Sequence, residues 1–199
     1  MIKIVFLGTP EIALPSLEFF IKNENIDVLA VVTQPDRPSG RGHKLTSPPI
    51  KTFALENNVE YIFQPTSIRK DTDLIQKLKS LNPDFFITVA FGQILSQEVI
   101  DIPKYGTINL HASLLPKYRG ANPIQRAIVN GERKTGVTTM LTNIGVDEGD
   151  ILLKEEIEIT ENMNAAELAK IISDIGPELL YNSMIGLVEN TLQPIVQDH

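Results

Sequence analysis

The chain has 199 residues, 42% hydrophobic and 22% charged, enough for one domain with a full core and too ordinary in charge for a disordered chain. With no cysteine and only His43, His111 and His199 among the histidines, disulfides, zinc–thiolate sites and cysteine nucleophiles are excluded and a histidine-rich metal centre is not expected. A net charge of −7 argues against a coat for nucleic acid but leaves room for one basic patch, and the absence of a signal-like or membrane-length apolar run makes a cytoplasmic location the expectation.

Residues 2–7 form an apolar run rich in branched side chains, broken only by Lys3 and closed by Gly8, which reads as a buried strand. Thr9 suits an N-cap and Pro10 the first helical position, for a helix running to about residue 22. A strand over 27–33 is followed by a Pro/Gly-rich stretch over 34–49 and a helix over 50–57. Further on, the pattern predicts a strand over 61–63, a helix over 70–81, and strands over 84–90 and 107–111. This alternation implies right-handed crossovers and a largely parallel sheet. The expected class is therefore α/β, a Rossmann-like core with helices on both faces. In the last third, strands over 136–142 and 151–159 are joined by too short a connection for a crossover and read as an antiparallel pair. A helix over 164–188 follows.

Ligands of parallel sheets bind beyond the carboxyl ends of the strands. That rule singles out Gly8-Thr9, Gln34 onward, residues 90–92 and residues 111–113, which should converge on one crevice. Gly8-Thr9-Pro10 lacks the glycine spacing of a dinucleotide fingerprint, so a tight turn into a helix is its better reading. Asn109 and His111 alternate with Leu110 at a strand end and share one face. An amide that can donate to an oxyanion thus stands beside an imidazole that can move a proton near neutral pH, although a structural histidine at a strand end explains the pair equally well. Ser113 lacks the sequence of a nucleophile elbow, which favours direct transfer over a covalent intermediate.

The acidic turn over 145–150 could be an ordinary solvated turn or could send one carboxylate over the sheet edge to orient His111. The segment from Gln34 to Lys44 carries Arg37, Arg41 and Lys44 against one acid, Asp36. A solvated loop is its default reading. Its length and its Gly/Pro scaffold also suit a loop that orders on phosphates.

Together these segments resemble the formyltransferase family that uses N10-formyltetrahydrofolate. The resemblance places Asn109, His111 and Asp147 at the family's catalytic Asn, His and Asp positions. It implies that Ser113, Leu114, Leu115 and Pro116, followed by Lys117-Tyr118-Arg119-Gly120, line the tetrahydrofolate site, and that Phe91, Gly92, Gln93, Ile94 and Leu95 lie where the backbone receives the pterin ring. Gly8-Thr9-Pro10, the loop over 34–44 and Pro123-Ile124-Gln125 are similar to the branch acting on methionyl-tRNA. There Arg37, Arg41 and Lys44 would enter the acceptor end of the initiator tRNA. The implied donor is N10-formyltetrahydrofolate, with no metal, no membrane partner and a monomeric chain. The catalytic domain is expected over 1–189. Residues 190–199 look like the start of a linker to the family's C-terminal OB-like domain, which is expected to be missing. The rival readings are a formyltransferase acting on a small amine, such as glycinamide ribonucleotide or an amino sugar, and a non-catalytic folate- or tRNA-binding remnant.

Overall fold

A computed structural model describes residues 1–39 and 44–198. The chain divides into two compact units, Met1–Gly106 and the part from Thr107 onward.

The first unit is built on four parallel strands. In chain order these elements are β1 (Ile2–Gly8), α1 (Leu14–Lys22), β2 (Ile26–Val32), a short pair β3 (Arg37–Ser39) and β4 (Lys44–Thr46), α2 (Pro49–Glu56), β5 (Tyr61–Phe63), α3 (Thr72–Ser80), β6 (Phe85–Val89) and α4 (Gln97–Ile100). The sheet order is β5-β2-β1-β6, and each neighbouring pair is parallel. Period-2 alternation along β1 explains why helices cover both faces. Val5 and Leu7 point into a cluster with Leu74, Ile75 and Leu78 of α3 and Val99 and Ile100 of α4. Phe6, between them, points the other way and meets Phe20 of α1, ring centroids 6.4 Å apart. All these side chains are buried, and Phe6 and Phe20 are wholly enclosed; truncating either to alanine would cost about 3–5 kcal/mol.

Two expectations need correction here. Thr9 is not a helix cap: a 3-10 turn, Glu11–Ala13, precedes α1, which starts at Leu14 with a proline in its first turn. The Thr9 hydroxyl instead donates to the Phe91 carbonyl at 2.9 Å. Nor is the 34–49 stretch wholly irregular, because β3 and β4 pair antiparallel with Arg37 opposite Thr46 and Pro38 opposite Leu45.

The second unit comprises β7 (Thr107–His111), α5 (Pro123–Val129), β8 (Lys134–Leu141), β9 (Ile151–Glu158) and α6 (Ala165–Val188). β7 pairs antiparallel with β8, and β8 with β9. α6 begins at a capping box in which Asn164 Oδ1 accepts from the Ala166 and Glu167 N–H groups and Glu167 Oε2 accepts from the Asn164 N–H. That arrangement satisfies donors that a helix start otherwise leaves orphaned. Gly176 lets α6 approach β7, since a Cβ there would stand 2.5 Å from Leu110 Cδ2. Leu110 thus faces α6, and its strand neighbours Asn109 and His111 occupy the opposite face. The fold is the expected one: a largely parallel sheet with helices, and antiparallel strands in the last third. Among the described residues no helix is long and apolar enough to cross a membrane.

Candidate active site

In the second unit, His111 closes β7 and is 6% exposed. Its burial is not in hydrocarbon. Nε2 lies 2.9 Å from the Tyr118 carbonyl, and Nδ1 lies 3.4 Å from Asp147 Oδ2. Both neighbours are acceptors. A neutral imidazole carries one N–H and can serve only one of them, whereas an imidazolium donates to both. Asn109, two residues back, is half-buried on the same face of the strand.

Both partners of His111 are held in left-handed backbone. Tyr118 has φ 59° and Asp147 φ 52°, conformations that bulky or non-glycine residues keep only when their surroundings impose them. For Tyr118 the restraints are visible. Its hydroxyl donates to Glu132 and accepts from Asn130 Nδ2, and the Arg126 guanidinium lies over its ring. Lys117 pairs with the same Glu132 at 2.6 Å. The hydrogen bond from Lys117, then that from Tyr118, holds the Glu132 carboxyl below its usual range. The Asp147 carboxylate is oriented by the Gly120 N–H, which donates to Oδ2 at 2.9 Å. Gly149 keeps the acidic turn tight, since a Cβ there would meet the Leu141 carbonyl oxygen at 1.6 Å. Of the turn's carboxylates, it is Asp147 that reaches the imidazole; Glu148 folds back over Gly145.

The segment after His111 spends several side chains on its own architecture. Ser113 is fully buried, and its hydroxyl donates to the Lys117 carbonyl at 2.5 Å. The Ser113 carbonyl accepts from Thr138 Oγ1, which in turn receives the Leu115 N–H. Leu115 packs with Met140 and Ile151. Leu114 is half-buried and Pro116 exposed, so these two and the backbone are what this segment offers a ligand.

In the first unit, the carboxyl ends of β1, β2 and β6 meet at one point, as expected for a parallel sheet. The Phe91 carbonyl accepts from Thr9 Oγ1 and from Gln34 Nε2, the latter at 3.2 Å. A cavity of about 460 Å³ opens there, lined by Thr9, Pro10, Gln34, Pro35, Arg37, Thr46, Ser47, Pro48 and residues 90–92. Ala90 and Gly92 turn the chain with φ of 48° and 80°. Phe91 and Leu95 are buried in the core, Ile94 is 66% exposed, and Gln93 is spent internally. Its amide accepts from the Ile68 N–H at 2.7 Å and donates to the Pro65 carbonyl at 2.8 Å.

Arg37 is exposed, and its guanidinium reaches Gln34 Oε1 at 3.3 Å. The Asp36 oxygens take Gln64 Nε2 at 2.6 Å, Lys51 Nζ at 2.8 Å and Ser47 Oγ at 3.2 Å. These bonds, Gln64's foremost and then Lys51's, lower its pKa from 3.8. Lys44 is placed by its backbone at the start of β4. Arg41 and His43 lie outside the described residues.

Sequence reasoning missed Tyr118 and Gly120 as partners of His111 and Asp147, because both act through backbone atoms that residue type does not announce. It also missed Gln197, whose partners are 50 and 78 residues away in sequence.

The chain matches a family model described as formyl transferase over residues 2–184. It is 57% identical over 194 residues to a methionyl-tRNA formyltransferase of Clostridium tetani (strain Massachusetts / E88), covering 98% of this chain and 62% of the relative. It thus spans about three-fifths of the length of the curated relatives it matches. Among solved structures it resembles glycinamide ribonucleotide transformylase 1 from Symbiobacterium toebii, at a TM-score of 0.79 and 18% identity over all of this chain and 95% of that one. It also resembles WlaRD, a sugar 3N-formyl transferase solved in the presence of dTDP and 5-N-formyl-THF, at a TM-score of 0.69 and 26% identity over all of this chain and 67% of that one. Sheet order, strand-end amide and imidazole, and a family match that takes in nearly all of the sequence agree, and the chain belongs to the formyl transferase family.

Proposed function

We propose that this chain moves a formyl group from N10-formyltetrahydrofolate to the α-amine of methionine esterified to initiator tRNA. The observation that carries the proposal is the pairing of His111 with Asp147 at the end of β7, on the face that also bears Asn109. The choice of acceptor is supported by relatives at more than half identity that are named for it. A folate donor is supported by the formyl-folate with which the sugar 3N-formyl transferase was solved.

In the proposed reaction the amine nitrogen attacks the formyl carbon. A tetrahedral adduct carrying an oxyanion forms, the carbon–N10 bond breaks, and the amine's proton passes to N10. Asn109 would donate its amide to the oxyanion, an interaction realised mainly in the transition state. His111 in its doubly protonated form would add positive charge beside that oxygen and assist the proton's passage. Asp147 would hold the ring. The 3.4 Å separation between Nδ1 and Oδ2 is longer than a good hydrogen bond and is the kind of contact that tightens once substrate is bound.

Leu114, Pro116, Gly92 and Ile94 are the members of the proposed folate segments whose surfaces remain available to the donor. Ser113 and Leu115 in the second unit, and Phe91, Gln93 and Leu95 in the first, would each support their own segment from within. Arg37, Arg41 and Lys44 would meet phosphates of the acceptor end.

The test is formyl transfer with N10-formyltetrahydrofolate and three acceptors side by side: methionyl-tRNA, glycinamide ribonucleotide and a nucleotide-linked amino sugar. The proposal expects methionyl-tRNA to be formylated in strong preference. Preference for either small amine would move the chain to another branch of the family, and folate binding with no transfer to any of them would make it a binding remnant.

A further inference from the structure

Gln197 is a buried polar side chain to which the chemistry above assigns no task. It is 3% exposed, and its amide makes five polar contacts, the longest from Nε2 to Met140 Sδ at 4.0 Å. Nε2 donates to the Asp147 carbonyl at 3.0 Å and to the Gly149 carbonyl at 2.6 Å. Oε1 accepts from Arg119 Nε at 3.0 Å and Nη2 at 2.8 Å. The partners fix the amide's orientation, because carbonyls can only accept and a guanidinium can only donate. The segment that carries Gln197 is itself tied to β9, where Ile195 and Ile151 exchange two backbone hydrogen bonds of 2.8 Å. Arg119 Nη2 also reaches the Asp198 carbonyl at 3.2 Å.

The two segments clasped by this amide are the two that hold His111. Arg119 lies between Tyr118, whose carbonyl meets Nε2, and Gly120, whose N–H holds the Asp147 carboxylate. Asp147 faces Nδ1 from a left-handed backbone conformation, which a non-glycine residue keeps only when its neighbours over-determine it. The Gln197 donors bind the carbonyls on either side of Glu148 and so restrain that turn directly.

We propose that Gln197 is a positioning residue. By joining Arg119 to the acidic turn it sets the approach of the Asp147 carboxylate to His111, which makes the geometry of the pair depend on the segment over 195–198. This inference rests on the proposed transfer role of His111 and Asp147 for its kinetic consequence only.

Two variants test it. Gln197→Met keeps the length of the side chain and loses both donor and acceptor. Gln197→Glu keeps an acceptor for Arg119 and sets a carboxylate oxygen against two carbonyls. The first readout is the ¹H–¹⁵N spectrum of the imidazole nitrogens, in which the His111 signals are identified by their loss in His111→Gln. Both variants are expected to shift the His111 signals. The second readout is formyl transfer, where kcat is expected to fall roughly 10–100-fold, as for a catalytic group displaced by a fraction of an ångström to an ångström, with KM for the acceptor unchanged.

A wild-type His111 spectrum in both variants would overturn the proposal, as would a rise in KM with kcat preserved. If Gln197→Met does not fold, Gln197→Glu decides alone. Asp147→Asn separates the two ideas: undiminished transfer in that variant would strip the pair of its chemical role, while a His111 shift on changing Gln197 would still establish the positioning.

Discussion

At the scale of single residues, the proposed site is governed by how many hydrogen-bond donors the His111 ring carries. Two acceptors face it, so its charge state decides how firmly it is held. The chain's other conspicuous carboxylate, Asp36, is set up for stability. Because the hydrogen bond from Gln64, and next that from Lys51, lowers its pKa from 3.8, it contributes stability in full above the unfolded value and loses it as pH falls through the folded one. The gap in urea midpoint between the parent and Asp36→Asn should therefore narrow below pH 3.8; a gap constant from neutral pH down to acid would contradict this. Asn109 and His111 were legible in the sequence because a strand's period of two fixes which residues share a face. Asp147 rested on family resemblance, since nothing in a run of Asp and Glu says which carboxylate turns inward. That choice is made by the φ of 52° at Asp147 and the Gly120 N–H, neither of which residue type reveals.

At the scale of elements, legibility followed length and period. Strands β1, β2, β6 and β7, with their continuous or near-continuous apolar runs, were placed to within a residue or so, as was α6. α4 and α5, of four and seven residues, are too short to display a helical period. The β3–β4 hairpin was hidden by Pro38, which argues against a strand in sequence and is tolerated in a short two-stranded ribbon. Elements are also joined by side chains that read as loop polarity. Gln93 bonds the Ile68 N–H that starts the turn before α3 and the Pro65 carbonyl. Gln93→Ala would leave both groups without their partner, and urea unfolding should show a loss of about 1–3 kcal/mol. Unchanged stability would mean that water replaces the amide at no cost.

At the scale of the whole chain, the net charge of −7 makes any affinity for tRNA a local property of the basic loop. Asp36 is bonded to Gln64, Lys51 and Ser47. If Arg37 contacts a phosphate of methionyl-tRNA, Arg37→Ala should flatten the slope of log affinity against log salt by roughly 0.7–0.9; an unaltered slope would return the loop to a solvated role. Membership of the formyl transferase family rests on almost the full sequence, while activity on tRNA belongs to relatives of which this chain spans 62%. The central claim is that the polar cluster at the end of β7 performs the transfer, and the saturated rate of formyl transfer by Asn109→Ala tests it most directly. The account predicts a fall in kcat of roughly 10²–10³-fold with donor affinity unchanged. A rate equal to that of the parent, with the donor bound as before, would contradict it.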